Sequence, residues 1–303
     1  MRSAVTGGAG FIGSHVVDHL LGAGHEVVVI DRGTLPHRPD VTNVDADILD
    51  YEAIRAATAA CDYVFHLAAV SNVNDAYRDP IECVRVNVLG TANVLEAARQ
   101  NRARRFVFAS TVWVYAGSRN GDVGEDCPVF ISDAGHVYTS SKISAEMLCH
   151  DYRRLYGLPF TILRYGIPYG PRMRDTLVVA SFLRRALHGE ALIINGNGDQ
   201  FRNFVYVKDL AAAHLLALDP KAENQTYNLE GKEQVSVEQI AGAIARLLGG
   251  GVRIEHGPAR PGDFSGKVAS GEKARVELGW EPATSFETGL RQTLDWYRSL
   301  APG

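Results

Sequence analysis

The sequence predicts an α/β fold built on a doubly wound parallel sheet, and three observations carry that prediction. The chain opens on a short apolar strand that runs into a glycine-rich turn and then a helix. Gly7, Gly10 and Gly13 fall three apart, and Ile12, Val16, Val17, Leu20 and Leu21 are apolar at helical spacing. A second apolar strand, 26–30, follows and ends in Asp31. Beyond it, strand-like runs keep alternating with helix-like stretches, the pattern of parallel strands joined by helical crossovers.

Each glycine of the turn has a task that a side chain would obstruct. Gly7 permits the tight turn, Gly10 lets backbone approach a pyrophosphate, and Gly13 lets the helix pack on the strand. The helix start offers free N–H groups and the positive end of a dipole to phosphates. Asp31 stands 18 residues after Gly13, the offset at which an acid accepts hydrogen bonds from an adenosine ribose. Strand, glycines, helix, strand and acid in this order predict dinucleotide binding. A glycine-rich turn of another α/β protein, with Asp31 capping a loop, is the alternative. The acid favours NAD over NADP because it would repel a 2′-phosphate, although Arg32 next to it could bind one.

The totals fit a globular enzyme. The 303 residues suit one large unit or two joined lobes; 46% are apolar, 22% are charged, and the net charge is −4. No run of one charge sign points to nucleic acid or a membrane surface, and no apolar stretch is long enough to span a bilayer. The glycine turn begins too early for a signal peptide, so the expected location is cytoplasmic. Cys61, Cys83, Cys127 and Cys149 show no C-x-x-C spacing and read as reduced thiols. His15 and His19 are four apart on the first helix, but Asp18 beside them marks a solvated face, and no metal is expected.

Taken in order, 41–46 reads as a strand, 51–60 as a helix and 63–67 as a compact strand ending at Ala68 and Ala69. A polar loop follows. Pro80 starts one long helical stretch, 81–100. Strand 105–110 delivers Ser110 and Thr111 to its carboxyl end, where ligands of such sheets bind; capping the strand is the plainer role. A polar loop, 117–135, precedes a helix opened by Tyr138-Thr139-Ser140-Ser141-Lys142. Tyr138 and Lys142 share a face. An ammonium there would stabilise the phenolate, lower its pKa and make Tyr138 a general base. A Tyr and a Lys one turn apart are also common on solvated helix faces.

With these motifs assembled, the chain resembles the extended short-chain dehydrogenase/reductases of the nucleotide-sugar epimerase/dehydratase group. The similarity spans nearly the whole length: T-G-G-A-G-F-I-G-S (6–14), D-I (47–48), H-L-A-A (66–69), N-V-L-G-T (87–91), S-T-V-W-V-Y (110–115), Y-T-S-S-K (138–142), Y-G-P-R (169–172), F-R-N-F-V-Y-V-K-D (201–209), R-P-G-D (260–263) and L-G-W-E-P (278–282). The resemblance implies a Rossmann-type domain, 1–166 and 204–222, and a smaller α/β lobe that grips the nucleotide, 167–203 and 223–303. It implies Thr111, Tyr138 and Lys142 as the catalytic set. It implies a cofactor site from Gly7, Gly10, Phe11, Ile12, Gly13, Asp31, Arg32, Asp47, Ile48, Leu67, Ala68, Ala69, Asn87, Ser110 and Tyr165, with Tyr138 and Lys142 reaching the nicotinamide end. Ile194, Arg202 and Arg260 fall where the group binds its substrate, a guanidinium fork suiting diphosphate oxygens; by composition alone both arginines are surface residues. A homodimer through the helix after Pro80 and the helix bearing Tyr138 is also implied.

Departures from the pattern narrow the reaction. The group's dehydratases and decarboxylases usually carry an acid just after the catalytic Ser/Thr, to move a further proton. Val112 and Trp113 occupy those places here. Ile167 replaces an asparagine that usually contacts substrate phosphates. His136 stands where a small residue is usual; a half-buried loop histidine is the plainer reading and substrate binding the other. The expectation is an NDP-sugar 4-epimerase with tightly held NAD. The alternatives are a 4-keto-sugar reductase or dehydrogenase, then a dehydratase or decarboxylase, and outside enzymes an NAD-binding regulatory protein.

Overall fold

The computed structural model describes residues 1–118, 122–258 and 268–300. In chain order its elements begin β1 (Arg2–Thr6), α1 (Phe11–Gly22), β2 (Glu26–Asp31), β3 (Thr42–Asp45), α2 (Tyr51–Ala57), β4 (Tyr63–His66), α3 (Val73–Arg78), α4 (Pro80–Val84), α5 (Thr91–Gln100), β5 (Arg105–Thr111), β6 (Asp122–Val123) and α6 (Val137–Tyr156). They continue with β7 (Phe160–Tyr165), β8 (Ile167–Tyr169), α7 (Val178–Leu187), β9 (Leu192–Asn195), β10 (Phe201–Tyr206), α8 (Val207–Leu216), β11 (Gln225–Leu229), β12 (Gln234–Ser236), α9 (Val237–Leu247), β13 (Ile254–Gly257), β14 (Val268–Ala269), α10 (Glu272–Leu278) and α11 (Phe286–Leu300).

Seven strands form one parallel sheet in the order β11-β7-β5-β4-β1-β2-β3. This is the doubly wound arrangement that the sequence predicts, with the order reversing beside β1. Strands β4 and β5 are buried at every residue, with no alternation, because helices cover both faces. One core packs Ile30, Val64, Phe106, Phe108 and Ile162 from the sheet against Ile54, Leu95 and Cys149 from the helices.

The chain divides into two compact units, residues 1–165, 211–229 and 269–281 in one and 166–210, 230–268 and 282–300 in the other. The crossings differ from the expected ones for reasons of pairing. β10 stays with the second unit because it pairs with β8 and β12, and β11 belongs to the first because it extends the large sheet beside β7. Within the second unit, β9 pairs with β13, and Tyr169, Phe204 and Phe286 stack in its core.

Three local expectations need correction. The stretch 81–100 is not one α-helix: a π-helical segment, Arg85–Gly90, interrupts it. Gly90 there presses on the side chain of Ile48, where an added Cβ would stand 2.5 Å from Cδ1. The loop after Ala69 contains α3, capped by Asn72. His15 is buried, with its ring edge-on to Phe11, so that face of α1 is not solvated; Asp18 instead pairs with Arg38 and His37. The four cysteines are free. Among the described residues no cluster of His, Cys, Asp or Glu could hold a metal ion, and no helix is long and apolar enough to cross a membrane.

His66, at the end of β4, ties three elements together. Thr91 Oγ1 donates to the Asn87 carbonyl (2.6 Å) and so accepts from His66 Nε2 (2.9 Å), while His66 Nδ1 accepts from Thr6 Oγ1 (2.7 Å). Full burial, and then Lys142, push its pKa down to about 3. The unfolded chain therefore binds a proton at His66 more readily than the fold does, and stability falls as the pH drops below the ordinary histidine value. Unfolding free energy is expected to fall by about 2 kcal/mol between about pH 6.5 and about pH 5 from this residue alone. Urea titrations at the two pH values, on wild type and His66→Asn, check it; equal slopes in both proteins would contradict it.

Candidate active site

The turn after β1 is set by two backbone contacts. Gly7 has φ +71, and a Cβ on it would stand 2.6 Å from the Ala68 nitrogen; a Cβ on Gly13 would stand 2.1 Å from the Gly7 carbonyl oxygen. Neither position admits a side chain. At Gly10 the one heavy atom within 4 Å of an added Cβ is the Gly7 carbonyl oxygen, at 3.1 Å, so the outer side of the turn stays open. No side chain caps the start of α1. Asp31 locks the turn to the end of β2, accepting from Ala9 N (3.0 Å) and Gly33 N (3.2 Å). An open turn, an uncapped helix start and a carboxylate at the end of β2 fit the phosphates and ribose of a dinucleotide.

The other residues of the expected cofactor site fall around the carboxyl ends of the same sheet. Arg32 lies 3.5 Å from Asp47, whose other oxygen accepts from Leu49 N. Ile48 is buried in the core, and Leu67, Ala68 and Ala69 follow β4 directly. Three side chains turn out to be held by the protein itself. The Asn87 amide bonds both backbone groups of Val70 (2.8 and 3.0 Å) and donates to Ser141 Oγ (2.9 Å), which donates to the Tyr138 carbonyl (2.7 Å). The Tyr165 hydroxyl meets His214 Nε2 at 2.6 Å. Ser110 Oγ donates to the Glu146 carboxylate.

Thr111 and Tyr138 come together as the sequence predicts. The Thr111 side chain lies beside the Tyr138 hydroxyl and favours its ionised form, and Thr111 Oγ1 accepts from Trp113 N (3.2 Å). Lys142 is buried one turn further along α6; its ammonium donates to the Ala109 carbonyl (2.8 Å) and lies 4.8 Å over the Phe108 ring. The expected lowering of the tyrosine pKa by Lys142 is absent. Burial pushes the Tyr138 hydroxyl up to about 12, with the Thr111 hydrogen bond opposing, and burial lowers the Lys142 ammonium to about 8. Burial sets the direction, and the ammonium is engaged by a backbone carbonyl instead.

This set rests on support that its motifs do not reveal. Glu146 follows Lys142 by one helical turn and takes a two-point salt bridge from Arg164 (3.0 and 2.6 Å), both side chains buried. Arg164 also donates to the Tyr115 hydroxyl (2.6 Å), which donates to Asn228 Oδ1 (3.0 Å). The i, i+4 spacing of Lys142 and Glu146 was the available signal. In the second unit, Ile194 is fully buried in β9, and Arg202 Nη1 donates to the Phe201 carbonyl (2.7 Å). Arg260 lies outside the described residues.

This geometry agrees with what the chain is similar to. Residues 3–229 match the model of the NAD dependent epimerase/dehydratase family. The chain belongs to that family. It is 33% identical to a UDP-N-acetyl-alpha-D-glucosaminuronate decarboxylase of Bacillus cytotoxicus, over 99% of this chain and 98% of that one. It is also 33% identical to a UDP-glucose 4-epimerase of Mycolicibacterium smegmatis, over 99% of each. A UDP-glucuronic acid 4-epimerase from Bacillus cereus, solved with UDP-glucuronic acid and NAD, superposes with a TM-score of 0.90 at 30% identity, covering 99% of this chain and all of that one. The chain is thus an NAD-dependent enzyme of a family whose members epimerise, dehydrate or decarboxylate nucleotide sugars.

Proposed function

We propose that the chain is a nucleotide-sugar 4-epimerase. The observation that carries this reading is the buried Thr111–Tyr138 pair followed by Val112 and Trp113, neither of which can move a proton. Epimerisation at C4 needs one proton moved and one carbon oxidised and reduced again. Dehydration and decarboxylation need further proton transfer at C5. When bound in its oxidised form, NAD supplies the hydride acceptor and a positively charged ring.

The chain's own residues supply the rest. Tyr138 takes the proton of the C4 hydroxyl as that carbon becomes a ketone and returns it when the opposite face is reduced. Thr111 holds the same oxygen. In the free chain burial keeps the proton on the phenol, so ionisation of Tyr138 is coupled to the arrival of a cation. Lys142 reaches the nicotinamide ribose by resemblance, Asp31 the adenosine ribose, and Arg202 and Arg260 the substrate diphosphate. Ile167, in place of an asparagine, removes one phosphate contact.

The test is incubation of purified protein, with no added cofactor, with UDP-glucose and UDP-galactose, their N-acetyl and uronic-acid forms, and dTDP- and GDP-hexoses. Interconversion of one pair without net absorbance change at about 340 nm is expected, and Tyr138→Phe is expected to lower kcat by about 10²–10⁴-fold. Loss of water or carbon dioxide, or a demand for added NADH or NADPH, would move the chain to another branch of the family. Bound NAD without turnover of any sugar would favour a regulatory role.

A homodimer through α4, the π-helical segment and α6 belongs to the same reading. It is supported by Ile81, Val84, Leu89, Met147 and Leu155, all large, apolar and exposed there. Sedimentation is expected to show a dimer that Met147→Glu converts to monomer; a monomeric wild type would refute it.

A further inference from the structure

Two residues that the sequence singled out, Trp113 and His136, lie against each other. Trp113 and His136 have ring centroids 5.4 Å apart, and the His136 ring is also 6.0 Å from that of Tyr138. Trp113 N donates to Thr111 Oγ1, and the Thr111 side chain lies beside the Tyr138 hydroxyl and favours its ionised form. The four residues therefore form a closed circuit, Thr111 to Trp113 to His136 to Tyr138 and back to Thr111, all within one compact unit.

His136 closes the circuit in a second way. It is the N-cap residue of α6, extended at φ −159 and ψ 160, and its Nδ1 accepts from Thr139 N at 3.2 Å, with Thr139 Oγ1 at 3.0 Å. Accepting at Nδ1 requires the lone pair there and places the proton on Nε2. That nitrogen is buried and has no hydrogen-bond partner among the described residues. A serine would cap the helix equally well but would remove the imidazole ring that lies against Trp113.

We propose that neutral His136 is a positioning residue, capping the catalytic helix and bracing Trp113 against Tyr138, and that its protonation releases the Thr111–Tyr138 pair. An imidazolium has donors at both nitrogens and can no longer accept from Thr139 N–H. Among the described residues, the ring meets Tyr138 and Thr139 from α6 and Trp113 from the turn after β5. The Tyr138 hydroxyl is held neutral by burial and the other two carry no charge. Burial, the largest influence on its titration, keeps the imidazole below its ordinary value. Its neutral state is therefore the folded one at neutral pH, and the brace loosens as the pH falls.

The inference rests on Tyr138 being the proton-transfer group, and the experiment separates the two. kcat and KM are measured against pH for wild type, His136→Ala, His136→Asn and Tyr138→Phe, with the UDP-sugar pair that the wild type interconverts. His136→Ala is expected to lose about fivefold in kcat, the rate equivalent of one lost cap, rather than in KM. His136→Asn, which restores a cap but neither the ring nor a titrating group, recovers only part of that loss and lacks the acid limb of the wild-type profile. An unchanged kcat in His136→Ala, or an acid limb that persists in His136→Asn, overturns the proposal while leaving the function intact if Tyr138→Phe is inactive. A Tyr138→Phe protein that keeps its turnover overturns the function instead.

Tryptophan emission gives a readout that needs no substrate. Emission is expected to fall on acidification as an imidazolium forms beside Trp113, and to stay level in His136→Asn. Identical titrations in both proteins would also overturn the brace.

Discussion

The buried ammonium of Lys142, donating to the Ala109 carbonyl at 2.8 Å, is the contact on which the site depends. It fastens α6 to the end of β5. Thr111 lies two residues beyond that carbonyl, and Tyr138 lies one helical turn before that lysine, so one hydrogen bond brings the two hydroxyls within reach. A charge this deep is costly unless it is held. Lys142 is held by the carbonyl and the Phe108 face, and Glu146, one turn further on, raises its affinity for the proton. Glu146 is itself matched by Arg164 on β7. The chain of partners fixes the helix from several sides, and removing one charge of the buried pair would leave the other uncompensated.

Much of this was legible in the sequence because it follows from spacing. Gly7 and Gly13 could be assigned tasks from steric limits, and the turn shows those limits in its backbone contacts, while Asp31 was assigned by its offset from the glycines. Strands 26–30 and 63–67 were recognisable as continuous apolar runs, which is how a strand covered on both faces reads. The pairing of Thr111 with Tyr138 came from resemblance, since nothing in local spacing brings residues 27 positions apart together.

What stayed hidden depends on tertiary context. The π-helical segment within 81–100 has the composition of an ordinary helix; it is the packing of Ile48 on Gly90 that marks it. Periodicity could not show that His15 is buried, because the cover comes from elsewhere in the fold. The pKa of Tyr138 was reasoned from one neighbour, whereas burial of the whole hydroxyl sets its direction. The contact of His136 with Trp113 joins residues 23 apart that no local pattern links.

The central claim is that this site moves one proton on oxygen and none on carbon. Val112 and Trp113 put no acid directly after Thr111. The direct measurement is turnover of the accepted nucleotide sugar in heavy water, with the product analysed by mass spectrometry and NMR. The account predicts a C4-inverted product with no carbon-bound deuterium. Deuterium at C5 would show that a second proton-transfer group operates and would contradict it.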